Sequence, residues 1–428
     1  MGSHRVSKDA ILGLSNDPNR TSIHHSMELI RILQAGGIVI KMGARLIAAM
    51  FVLLTAVQLV AEEPRVKWGG VMFRGKDVDR TKLYPMLSEA KTLERLQETL
   101  SGIARNVNRT DCQILVGGQF SLTAGDGLVM GCVIEDEDFI ESKLAFKDRN
   151  EYYGQLVVAA SIVVFDFQQG VVVSSAIVST MVPFGDKDPI KEPLSADQRA
   201  RLLEEAIYKS QHENGDLISR VKTKMGYIPI KPKANFGRLQ VNLPTIEEAS
   251  LKELEAEDPL QAIRIRRQFS QKIAASLVED FRINVLPPID GDSTLNQMTV
   301  SFADKSKLSA NEPTEKIFQL PPPTVVAEIS ISNVGNEVVK KYSNNVQTTM
   351  VFGAGMIIKF LELGNLKYEK LWGYGANRGF PPETAESQAA SVKRLMYRKA
   401  IEDGFENEFM KTVVKDKKWK QLTVKLSM

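Results

Sequence analysis

The sequence predicts an α/β protein made of two tandem β-α-β-β-β-β-α modules, each a mixed sheet packed with helices. Three observations carry this. Near-continuous apolar runs of strand length recur, such as "LVVAASIVVF" (156–165), the mark of strands buried on both faces. Segments with apolar residues at helical spacing lie between them. The order of elements in 62–210 also recurs in 237–410. A shift of 194 residues places Gly170 on Gly364 and Ala206-Ile207 on Ala400-Ile401.

In the first module, "RVKWGGVMFRG" (65–75) reads as a short strand. "YPMLSEAKTLERLQETLSGIARNV" (84–107) sets Leu93, Leu96, Leu100 and Ile103 on one helical face. "CQILVGGQFSLTAGDGLVMGCVIE" (112–135) reads as two strands turning at Asp126-Gly127, a good type I′ pair. That register places Cys132 opposite Ser121, nine residues from Cys112. At ~3.3 Å per residue the two are roughly 30 Å apart, so both thiols are expected to be free. A polar excursion follows (135–154), in which "EDEDFIE" reads as a solvated loop. A second hairpin (155–182) turns at Gln169-Gly170, and a helix (195–210) closes the module. Ser195 is suited to cap this helix, and Leu202, Leu203, Ala206 and Ile207 form its apolar stripe.

In the second module, "GRLQVNLP" (237–244) is the opening strand. Residues 258–281 form a helix, with Pro259 in its first turn. "MTVSF" and "TVVAEISISNV" are strands around a Pro-rich loop, 303–323. Residues 346–375 form the second hairpin and 384–409 the closing helix. The polar stretch 211–236 is expected to be a linker, and 411–428 a basic tail.

"DCQILVGG" (111–118), "ASIVVFDFQQGVVVSSAIVST" (160–180) and "LLEEAIYKS" (202–210) together resemble the α/β module of the curli-secretion lipoproteins and the related penicillin-binding-protein activators. "TVVAEISISNVGNE" and "AGMIIKFLELGNLKYEKLWGYG" echo the pattern in the second copy. The resemblance implies a periplasmic, non-enzymatic module that binds other envelope components. It does not extend to a secretion pore. No lipidation Cys follows the apolar run near the N-terminus, and the paired amphipathic excursions of a membrane β-barrel are missing. Tandem modules of this kind also look like the periplasmic ring proteins around flagellar motors.

The segment "MGARLIAAMFVLLTAVQLVAEEPR" (42–65) has the layout of a secretory signal peptide: Arg45, then an uncharged apolar run from Leu46 to Ala61, then Glu62. Residues 42–61 are therefore expected to be removed, 1–41 to be a mis-called extension, and the protein to be periplasmic or secreted. A retained inner-membrane signal anchor is the alternative.

Residues 62–428 carry equal numbers of acidic and basic side chains, which gives no sign of a nucleic-acid partner. They contain one histidine, His212, so triads and His-rich metal sites are not expected. "DGDSTLNQMTVS", from Asp290, departs from a calcium loop at its sixth and twelfth positions. "FGAGM" (352–356) is not set between a strand and a helix as a dinucleotide loop would be. No catalytic residue, cofactor or metal is expected.

The functional expectation is a scaffold or adaptor of the bacterial envelope, acting in assembly of an outer-membrane, secretion or appendage-associated complex. The alternative is a carboxylate-dependent hydrolase such as a glycosidase, with Asp166, Glu328, Glu362 and Glu369 as its strand-borne acids. Partner contacts are expected from the excursions 135–154 and 303–323, with Phe318 as an apolar anchor. The C-terminal segment, with Trp419, Lys417 and Lys418, is the candidate surface for a membrane or anionic polymer. A homo-oligomer is compatible with all of this.

Overall fold

The long apolar strands form two mixed sheets, and the helices fill the space between and around them. The structure is a computed structural model. It describes residues 64–427 apart from 119–126, 146–148, 186–189, 210–214, 231–236, 255–258, 290–295, 305–307, 309–312, 335–340 and 344–346. The extension 1–41, the signal-like segment 42–61, His212 and the calcium-loop-like stretch from Asp290 to residue 295 lie outside the described residues.

The first sheet contains β1 (Arg65–Arg74), β2 (Gln113–Leu115), β3 (Leu128–Ala145), β4 (Asn150–Asp166) and β5 (Val171–Phe184). The expected hairpin between β2 and β3 does not form. Both strands run parallel to β1 and flank it on opposite edges. Cys112 and Cys132 are both buried, and no disulfide joins them. β3 continues straight through the segment expected to be a solvated excursion and pairs with β4 from Leu128 to Ala145. A bulge at Glu135 interrupts the register between Ile134 and Asp136. β4 is central and buried almost throughout, as its apolar run requires. The β4–β5 turn falls at Gly170, whose φ of 65° suits glycine.

Helix α1 (Ala90–Asn106) buries Leu96, Leu100 and Ala104 against this sheet. Helix α2 (Ala196–Glu204) starts at Ser195 in a reciprocal capping box with Gln198. The segment expected to be a linker holds helix α3 (Leu217–Tyr227). Asp216 caps it, and Leu217, Val221 and Met225 are buried. An amphipathic helix of three turns can bury a stripe where a linker cannot, and here that stripe covers β4 and β5.

The second sheet contains β6 (Leu239–Val241), β7 (Thr245–Ile246), and then, after α4 (Glu248–Glu253) and α5 (Pro259–Phe281), β10 (Val325–Ser332), β11 (Lys341–Ser343), β12 (Thr348–Glu362) and β13 (Asn365–Phe380). Helix α6 (Ala385–Gly404) and helix α7 (Lys417–Leu426) complete the chain. β6 pairs parallel with β10, which pairs antiparallel with β12, which pairs antiparallel with β13. β1, β3, β4 and β5 follow the same scheme in the first sheet.

Strands β8 (Gln297–Phe302) and β9 (Glu315–Gln319) depart from the modular expectation. They form a hairpin that joins the first sheet, although both come from the second half of the chain. β9 meets β5 at Val171, and β8 runs antiparallel to β1 at Met72–Arg74. This closes the end of the sheet into a small barrel around Met72, Val163, Phe165, Met298, Phe302 and Phe318. The expected Pro-rich binding loop is therefore in part a wall of that barrel.

Candidate functional site

The densest chemistry lies where β3 meets α5 and α6. Four consecutive acids, Glu135 to Asp138, are buried in mid-strand. Strand alternation sends Asp136 and Asp138 to one face and Glu137 to the other. On the first face, Gln268 donates its amide to Asp136 Oδ2 at 2.8 Å, and Arg264 sits 3.5 Å from Asp136 and 3.8 Å from Asp138. Arg398 donates to Asp138 Oδ2 at 2.8 Å, to Gln268 Oε1 at 3.0 Å and to Glu402 Oε1 at 2.8 Å. Arg264 and Gln268 are one helical turn apart on α5, as are Arg398 and Glu402 on α6. On the opposite face, Glu137 accepts from the backbone N–H groups of Met86 and Leu87 at 3.0 and 2.8 Å. Tyr84 donates to the carbonyls of Arg74 at 3.0 Å and Glu135 at 3.3 Å.

These surroundings set the ionisation states. Burial raises Glu137 to about 7, against the pull of its two N–H donors. Burial also raises Asp136, although Arg264 and Gln268 oppose it. For Asp138 burial acts upward too, but Arg398 and Arg264 outweigh it and hold the carboxyl below its usual range. Burial works to discharge Arg398, and Glu402 and Asp138 keep it charged. Asp138 and Arg398 are therefore an ion pair, while Asp136 and Glu137 hold protons more readily than ordinary carboxyls.

Beside this seam is a cavity of about 310 Å³, walled by Val157 and Ala159 of β4, Met181 of β5, and Gln271, Lys272 and Glu402 of the helices. Its charges are matched locally: Arg220 lies 3.0 Å from Glu279, and Lys272 2.7 Å from Glu406. No group of three or more His, Cys, Asp or Glu arranged to hold a metal occurs among the described residues.

The residues selected from the sequence lie elsewhere. Phe318 is fully buried in the barrel, with ring centroids 4.3 Å from Phe165 and 5.0 Å from Phe167. It cannot meet a partner without opening that core. Trp419 is also fully buried, 4.9 Å from Phe360 and 5.2 Å from Phe281. The expected basic tail is helix α7, which Trp419, Leu422 and Leu426 anchor to the molecule. Lys417 and Lys418 do lie on the surface, in its first turn.

The four hydrolase acids are not gathered at one place, although Glu328 and Glu369 flank Lys359 on the exposed face of the second sheet. Asp166 accepts from Gln169 N in the β4–β5 turn. Glu328 stands opposite Lys359, which also pairs with Glu369 at 3.5 Å. Glu362 pairs with Lys425 at 2.8 Å. Reading from sequence missed Asp136 and Asp138. The signal was present as Arg264/Gln268 and Arg398/Glu402, each one helical turn apart on helices that must pack on a sheet.

No protein-family model matches the chain, and no curated protein matches it. The solved structures it resembles include a hypothetical protein of Chlamydia trachomatis, 15% identical over 39% of this chain and 92% of that one, with a TM-score of 0.21. A minor lipoprotein of Acinetobacter baumannii matches at 10% identity over 45% of this chain and 90% of its own, TM-score 0.17. A Xanthomonas campestris protein of the DUF330 family matches at 9% identity over 40% and 82%, TM-score 0.17. At these TM-scores the likeness carries no argument, and the chain is described as a mixed α/β protein without a family. Among the described residues, no helix is long and apolar enough to cross a membrane.

Proposed function

We propose that this chain is a non-enzymatic, exported scaffold or adaptor of the bacterial envelope that acts in assembly of an outer-membrane, secretion or appendage-associated complex. One observation carries the reading: the outer face of the second sheet. α6 packs on β12 and β13 from the inner side, where Phe352, Met356, Phe360 and Trp372 are buried. The outer side shows Leu371, 66% exposed, beside Gly373, Asn377 and Ser330, which are also exposed. Gly355 pairs with Gly373 across these strands, which leaves a place that a partner backbone can approach closely. The signal-like segment 42–61 supports export, and the repeated pairing scheme supports a duplicated binding module.

The test combines fractionation of expressing cells with photo-cross-linking from residue 371. The expected result is a chain in the envelope fraction that yields a discrete cross-linked species. A cytosolic chain that yields none would overturn the reading. The hydrolase alternative has no comparable support: Glu328 and Glu369 flank Lys359 on an exposed sheet face rather than in a cleft, and Asp166 lies in a turn of the other sheet.

A further inference from the structure

We propose that the tip of the β12–β13 hairpin and the outer face of α7 form one docking surface for an anionic lipid bilayer. The tip is a two-residue turn, Leu363-Gly364, between Glu362 and Asn365. Leu363 has φ 49° and is 84% exposed. A leucine in the left-handed region costs on the order of 1 kcal/mol, and Asn or Gly would serve this turn better. Neither burial nor turn geometry accounts for a leucine here. A solvent outside the protein that rewards apolar side chains would.

The neighbouring residues fit the same solvent. Leu366 is 54% exposed, just past the turn. On α7, Trp419, Leu422 and Leu426 face inward, and the outward face carries Val424, 77% exposed. A shallow groove joins tip and helix, lined by Lys367, Lys418, Lys425 and Val424. Lys425 and Lys367 share a single acid, Glu362, at 2.8 and 3.3 Å. Lys417 and Lys420 add exposed charge on the helix. Positive charge therefore surrounds projecting aliphatic side chains. Phosphate headgroups satisfy the lysines while the leucines enter the acyl boundary. Nucleic acid would satisfy only the charges, so the exposed leucines select the bilayer. This surface is distinct from the outer face of the sheet and does not depend on the scaffold reading.

An uncharged apolar run such as Leu46–Ala61 would partition into lipid by itself, so total pelleting with vesicles is a poor readout. The experiment uses the full chain with an environment-sensitive fluorophore on Leu363→Cys. The two native thiols are buried and do not compete for the label. Phosphatidylcholine vesicles are compared with and without phosphatidylglycerol. The expected result is a blue shift only with phosphatidylglycerol, lost at high salt. Reversing charge with Lys417→Glu/Lys418→Glu should weaken the shift on the order of a hundredfold. Acidic residues suit the first turn of a helix, so this variant keeps α7 folded. Leu363→Asn should preserve the turn. Read from a fluorophore on Val424→Cys, it should also weaken the phosphatidylglycerol-dependent shift about tenfold, as losing one inserted leucine requires. A probe that stays in water with both vesicle types overturns the proposal. So does an undiminished shift of the Val424 probe in L363N, and so does duplex DNA binding with the same lysine dependence while the probe remains in water.

Discussion

At the residue scale, the buried acids decide how stability depends on pH. Glu137 is 2% exposed and raised from 4.5 to about 7. Between those values the unfolded chain is ionised and the folded chain still holds the proton. This stabilising contribution is therefore full below about 4.5 and lost as pH rises through 7, on the order of 3 kcal/mol. The urea midpoint of the wild type should fall between pH 4.5 and 8, and Glu137→Gln should flatten that slope. Arg398 responds differently because it is paired. Arg398→Met leaves Asp138 and Glu402 buried without their cation and should cost about 3–5 kcal/mol. Asp138→Asn in the same chain should recover part of that loss, measured as a double-mutant cycle. Phe318→Ala should cost about 3–5 kcal/mol in urea unfolding, as removal of a barrel-core ring requires. Cys132 is pushed up to about 12 by burial and then by Glu135. A thiol reagent should therefore label Cys112 and Cys132 only as the protein unfolds.

At the scale of elements, local signals worked where the element completes its own chemistry. The Ser195 capping box, the Gly170 and Gly364 turns and the stripe of α1 depend on residues within a few positions of one another. They were legible for that reason. The C-terminal segment was not. Its lysines suggested a solvated tail, yet Trp419, Leu422 and Leu426 sit at helical spacing and bury completely or nearly so. Asp416 caps the helix by accepting from Lys418 N at 2.8 Å. Trp419→Ala should detach α7, with a loss of about 3–5 kcal/mol and of near-ultraviolet ellipticity from the surrounding rings. If α7 were a tail, the substitution would leave the thermal midpoint unchanged.

At the scale of the molecule, contacts between the two halves of the chain tie the sheets together. The β8–β9 hairpin from the second half closes the first sheet, and the Asp138–Arg398 pair joins a strand of the first sheet to a helix of the second half. Pro64–Met428 is accordingly one compact unit. Trp68 reports on the first sheet, and Trp372 and Trp419 on the second. Tryptophan fluorescence and far-ultraviolet ellipticity should give coincident denaturant transitions. Two separated transitions would show that the halves unfold independently.

By itself the sequence determined the α/β class, the long hairpin that ends each half with its turn glycine, the helix of 90–106 and the Ser195 cap. These follow from side-chain period and from residues that act within one turn of the chain. Tertiary structure alone decided that "EDED" is a buried strand rather than a loop. A run of acids is costly in a core unless cations meet it, and here the cations come from far along the chain. Asp136 meets Arg264 of α5, with the amide of Gln268 beside it, and Asp138 meets Arg398 across 260 positions. The same holds for β8 and β9. The segment "MTVSF" read as a strand while β9 lay in the expected Pro-rich loop, and which sheet the pair joins depended on an open edge of β1 more than two hundred residues upstream.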